Sequence, residues 1–188
     1  MQIFLQKIWP RPGGVFQQGA AMTAMFDASV PVFLHYLDRL AAMVERTARQ
    51  EQVLQARLAP DMFTAAQQVA TAAGFALRVA FPLAGAAVPG IEDHGMDRIG
   101  LGRRLAAASH ALRGLEPAAF DGAETRRIRH RAGFAELDQS GAEFLHLFGM
   151  PNFMFHAAMA FAVLRQEGLE IGKADFDGLH DYPHGFRF

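Results

Sequence analysis

Cysteine is absent from the chain, which excludes disulfide scaffolds, thiolate metal sites and cysteine nucleophiles, and leaves nothing that points to an oxidising compartment. A cytoplasmic location is the resulting expectation. An excess of one charge is missing too: 18 basic residues meet 19 acidic ones, a formal net charge of -1. No global field therefore draws nucleic acid or an anionic membrane surface. Small neutral or mixed molecules are the expected partners, with neither nucleic acid nor membrane among them. The opening stretch MQIFLQKIWPRPGGVFQQGAA lacks an uninterrupted apolar run, because Pro10, Pro12, Gly13 and Gly14 break it. It reads neither as a signal peptide nor as a bilayer span. Met22 and Met25 stand just before the first periodic segment, so residues 1–21 are expected to form a poorly ordered extension outside the fold. Two signatures of chemistry are also lacking. Ser29, Ser109 and Ser140 have no G-x-S-x-G context, and GIEDHGMDRIGLG has neither a strand before it nor the spacing of a phosphate-binding loop.

Apolar material, by contrast, is plentiful. Hydrophobic residues make up 51% of the 188 and charged residues only 20%, enough for one well buried core but not two. One domain over residues 22–178, followed by a tail at 179–188, is the expected organisation. From Ser29, a plausible N-cap, Val30, Phe33, Leu34, Leu37, Leu40, Ala41 and Val44 recur at three and four and predict a helix to about Gln50. Pro60 and Asp61 look like the start of a second helix, with an Ala-rich stripe at Phe63, Ala66, Ala70, Ala73, Leu77 and Ala80. A third stripe runs Leu101, Leu105, Ala108, Leu112, Leu115. Alternating arginines around Ile128 and a turn at Ala132-Gly133 suggest a short β-hairpin. The last helix is expected from Gly141 to Glu167, capped by Ser140 and stopped at Gly168. The fold class is therefore all-α: an up-and-down four-helix bundle with a short β-hairpin or extended segment before the last helix.

That last helix carries the most suggestive polar residues. Its stripe, Leu145, Phe148, Asn152, His156, Met159, Val163, aims an amide and an imidazole at the core. Four residues apart, Asn152 and His156 are neighbours on one face and so could share a ligand, a water or a metal. Pro151 removes a donor, frees the carbonyl of Leu147 and should kink the helix beside them. The alternative is that both are satisfied core polars, one of them bonding the freed carbonyl. On helix 2, Gln67 lies close to the apolar face and Gln68 somewhat off it, so one amide could reach the same interior. His180, Asp181 and His184 of the tail could bind a metal only at the entropic cost of ordering it. The run Arg126 to Arg131 could contact phosphate, but the acidic residues flanking it favour a solvated hairpin.

The segments MFDASVPVFLHYLDRL, LQARLAPDMFTAAQQVA, PGIEDHG, AAFDGAE, PNFMFHAAMAFAVLR and GLEIGKADFDG, in this order, resemble the DinB/YfiT-like superfamily. Within it they resemble an uncharacterised bacterial and fungal domain-of-unknown-function family with a PNFxFH motif. The resemblance implies a divalent metal, nickel or zinc, held by one histidine of helix 2 and an H-x-x-x-H pair of helix 4, and in some members reactions with low-molecular-weight thiols. By position, His156 falls on the second histidine of that pair, Asn152 stands in place of the first, and Gln67 or Gln68 in place of the third. An amide is a weaker donor than imidazole, and one histidine does not hold a transition metal tightly unaided. The expectation is thus a helical bundle with a degenerate histidine metal site, with no certain cofactor and at most Ni or Zn at low occupancy, that serves as a small-molecule binding module. Its ligand-binding candidates are Asn152, His156, Gln67 and Gln68. The alternative is a metal- or thiol-dependent transferase or isomerase using His156 as its catalytic group. A homodimer is also expected, since 17 phenylalanines exceed what one small core needs.

Overall fold

A computed structural model describes residues 24–183; the extension expected at residues 1–21 and His184 of the tail lie outside them. The described chain is mostly helical, with one antiparallel hairpin. A single turn, α1 (Ala24–Asp27), leads into α2 (Val30–Glu45), which buries Val30, Phe33, Leu37, Leu40 and Val44. Ser29 does not cap α2 with its side chain. Instead its buried hydroxyl donates to the carbonyl of Met25 at 2.5 Å and closes α1. The helix also ends at Glu45, short of Gln50, and gives way to 3-10 turns at Arg46–Arg49 and Glu51–Gln55. There the Thr47 hydroxyl donates to the carbonyl of Val44 at 2.7 Å, a local bond of the kind that competes with helix continuation.

Helix α3 (Ala65–Leu83) starts later than Pro60 suggested, because Thr64 caps it. The Thr64 hydroxyl accepts from the Gln67 N–H at 3.2 Å, while the Gln67 side-chain oxygen accepts from the Thr64 N–H at 2.9 Å, a reciprocal capping box. Its buried set is wider than one stripe: Val69, Ala72, Ala76 and Val79 are covered along with Ala66, Ala73, Leu77 and Ala80. Alanine on several sides lets α3 pack against both α4 and α6. In α4 (Arg98–Arg113) the Asp97 carboxylate accepts from the Gly100 N–H at 2.7 Å as the cap, and Leu101, Leu105, Ala108 and Leu112 are buried.

Strands β1 (Arg127–Ala132) and β2 (Ala135–Ser140) pair antiparallel, Arg127 opposite Ser140 and Ala132 opposite Ala135. The turn is Gly133-Phe134, one residue later than the spacing suggested, since Gly133 supplies the left-handed φ of +60 that a tight hairpin needs. Arg127 and Arg129 pair with Asp138, and Arg131 with Glu136. Arg126 instead donates to the carbonyls of Leu83, Ala119 and Asp121. Ser140 and Glu143 form a second capping box. The last long helix then runs from Gly141 to Gln166 in three parts: α5 (Gly141–Glu143), a π-helical stretch Phe144–Gly149, and α6 (Met150–Gln166). By length and apolar composition this 26-residue helix would suffice to cross a bilayer; here it packs along α3. Gly168, with φ +87, follows its end, and α7 (Lys173–Asp177) returns to α2.

Candidate functional site

The contact of α3 with α6 brings together residues 88 apart in sequence. His156 Nδ1 lies 2.6 Å from Gln68 Oε1. Because an amide oxygen only accepts, Nδ1 carries the proton, and Nε2 then holds the lone pair. No described side chain bonds Nε2. Two phenyl rings run nearly parallel to the imidazole, Phe75 at 5.4 Å and 23° and Phe63 at 6.1 Å and 21°, and Phe155 meets it edge-on at 5.2 Å. Gln68 is only 2% exposed, so its amide orientation is fixed by packing. Burial pushes the His156 pKa below the ordinary imidazole value, and the positive charge of Arg78 pushes it the same way. The guanidinium carbon of Arg78 sits 4.1 Å above the Phe75 ring, so Phe75 touches both groups. At neutral pH, His156 is a neutral base with a fixed tautomer.

The other expected site residues lie elsewhere. Gln67 is exposed and spends its side chain on the Thr64 cap, so the inward glutamine is Gln68, the one the apolar stripe had placed further off. The Asn152 amide donates to the carbonyl of Phe148 at 2.7 Å and not to His156. The freed carbonyl was expected at Leu147. Just before Pro151 lies a π turn, in which the Met150 N–H bonds the carbonyl of Leu145, five residues back. Such an inserted residue shifts the phase of the side chains on either side. His180 is held by Asp177, whose other oxygen accepts from the N–H groups of Leu179 and His180, and His35 Nε2 bonds the Asp177 carbonyl oxygen at 2.6 Å. Phe63, Phe75 and Arg78 were not anticipated around His156. Phe75 had a sequence signal, being seven residues, close to two turns, after Gln68 on the same helix.

The nickel or zinc site implied by resemblance does not fit these residues. The nitrogen Nδ1 of His156 is engaged by Gln68, Asn152 is tied to backbone, and Gln67 is turned into a cap. Among the described residues, no three His, Cys, Asp or Glu side chains gather as a metal would require.

Residues 25–177 match the model of a family described as a domain of unknown function, DUF1993. Among solved structures, the chain is similar to the crystal structure of a DinB family member protein from Shewanella denitrificans. The identity is 28%, the match covers 85% of this chain and 94% of that one, and the TM-score is 0.76. No curated protein matches the chain.

Proposed function

The chain belongs to the DUF1993 family and shares its fold with a DinB family member, and from that premise we propose that it is a small-molecule binding module of the helical-bundle type, centred on His156 and working without a resident metal. The hydrogen bond from His156 Nδ1 to the buried Gln68 supports this reading most directly. It fixes the tautomer and leaves Nε2 as a neutral acceptor beside aromatic surface, suited to a ligand carrying one hydrogen-bond donor on an apolar or aromatic body. Phenol is a suitable minimal probe. In two-dimensional NMR, phenol is expected to shift the backbone amides of Phe63 and Phe75 saturably, and His156→Ala is expected to abolish that saturation while the fold is kept. Phenol shifts that are the same in His156→Ala would refute the reading. Titration of the untagged protein with Ni(II) and Zn(II) checks the metal-free part. Stoichiometric binding lost in His156→Ala would restore a metal site.

A second reading is favoured by the lowered His156 pKa. A neutral imidazole with a free Nε2 can take the proton of a bound thiol or hydroxyl as general base, as a thiol-dependent transferase or isomerase would need. Turnover of a thiol substrate with a rate that rises with pH through one ionisation, and is lost in His156→Gln, would separate catalysis from binding.

A further inference from the structure

An open groove of about 370 Å³ runs between α3 and the start of α4, with Phe63, Thr71, Gly74, Arg78, Met96 and Arg104 on its walls. Its lining is one-sided in charge. Two guanidinium groups face it and no carboxylate lines it. Arg78 has no ion pair among the described residues; it makes a long hydrogen bond to the Gly74 carbonyl at 3.4 Å and the contact with the Phe75 ring. Arg104 is only 16% exposed, yet its ion pair is a 3.5 Å contact with Asp93, a side chain 88% exposed. Its buried Nε has no acceptor.

A mostly covered cation is costly unless it is paired, and a 3.5 Å contact with a carboxylate that is itself solvated offsets little of that cost, so an anion in the groove would complete the pairing of Arg104. The planar fork of arginine matches a carboxylate edge. The rest of the wall combines the polar Gln67 and Thr71 with the Phe63 ring, Ala70, Met96 and the bare backbone of Gly74, where a Cβ would meet nothing within 4 Å.

We propose that this groove binds the carboxylate of a small organic acid between Arg78 and Arg104, with the acid's apolar body against Phe63 and Met96. The site shares the Phe63 wall with His156 but not the imidazole itself, so it stands apart from the reading above.

Benzoate tests this, with benzyl alcohol and inorganic phosphate as comparisons. Binding is followed through the Arg Nε–H signals in two-dimensional NMR and by calorimetry, at two salt concentrations. Benzoate is expected to shift the Arg104 Nε–H saturably and to bind more weakly at the higher salt. Arg104→Gln and Arg78→Gln are each expected to weaken it about tenfold. Arg104→Lys, which keeps the charge but loses the fork, should fall between wild type and Arg104→Gln, and serves if the glutamine variant does not fold. His156→Gln should leave benzoate binding unchanged, so failure here is distinguishable from failure of the His156 reading. Equal binding of benzoate by Arg104→Lys, Arg104→Gln and wild type would overturn the proposal. So would phosphate binding more tightly than benzoate, or benzyl alcohol binding as well as benzoate.

Discussion

At the scale of single residues, the site rests on which nitrogen of one imidazole is occupied. Gln68 takes Nδ1 of His156. Gln68→Leu keeps the volume but strands that donor beside two phenyl rings, which should cost about 1–3 kcal/mol; urea unfolding of the variant at pH 7.5 measures it. The protonation state of His156 gives a second expectation. Its pKa is depressed by burial and then by Arg78, so the unfolded chain takes the proton more readily than the native one. Stability from this group is complete above the ordinary value of 6.5 and is lost as pH falls below it toward the native pKa. Melting temperatures from pH 8 to 5 should therefore fall less steeply for His156→Gln than for wild type, and an NMR titration placing the native His156 pKa above 6.5 would contradict the assignment. The sequence pointed to His156 and to a glutamine of helix 2, leaving Gln67 and Gln68 both open with Gln67 nearer the apolar face. The choice of Gln68 has a local cause: the Gln67 side chain is drawn back to the Thr64 N–H, and Gln68 is left pointing inward.

At the scale of elements, hydrophobic spacing located the long helices and the hairpin, and capping chemistry explains where the boundaries moved. Ser140 and Asp97 show their capping roles directly in the bonds they accept, whereas Ser29 turns its hydroxyl backward. The π turn at Phe144–Gly149 was not legible, because its cause is tertiary as much as local. Gly149 lies against Val79 of α3, and a Cβ there would come within 2.7 Å of both Val79 methyl carbons. Val79 is fully buried and β-branched, so its methyls have no rotamer into which they can retreat. Gly149→Ala should then destabilise the protein by about 1–3 kcal/mol, and Val79→Ala in the same chain should recover part of that loss. A double-mutant cycle in urea checks it; strictly additive effects would mean that the two residues do not press on each other.

At the scale of the whole molecule, the exposed apolar residues and the chain's closure each carry an expectation. Leu147 and Phe155, on the same long helix, are 70% and 51% exposed, and a second copy covering them would give a particle of twice 20.6 kDa. Light scattering after gel filtration, with Phe155→Glu for comparison, decides it. A wild-type particle of single-chain mass at micromolar concentration would remove the dimer. Closure depends on Asp177, which follows α6 by way of α7 and returns the chain to α2. Its side chain is 10% exposed. Burial alone would raise its pKa, but the N–H groups of Leu179 and His180 and the His180 side chain more than offset this and leave the pKa lowered. Tyr36 of α2 responds in the opposite sense, its pKa raised by burial and by the Asp177 charge. A carboxylate lowered in the native state contributes stability that is complete above its unfolded value, 3.8, and is lost as pH falls toward the native one. Asp177→Asn keeps the shape but weakens each bond to the side chain, so at pH 7 it should cost about 1–3 kcal/mol. As pH falls below 3.8 toward the lowered native pKa, the gap between variant and wild type should narrow, because the wild-type carboxylate then takes up a proton and loses its charge. Hydrogen exchange adds the spatial test: amides of Lys173–Asp177 and the facing turns of α2 should lose protection together in Asp177→Asn, while those of α3 hold. Loss spread evenly over the core would mean that Asp177 supports the whole bundle and is not a clasp for its C-terminal segment.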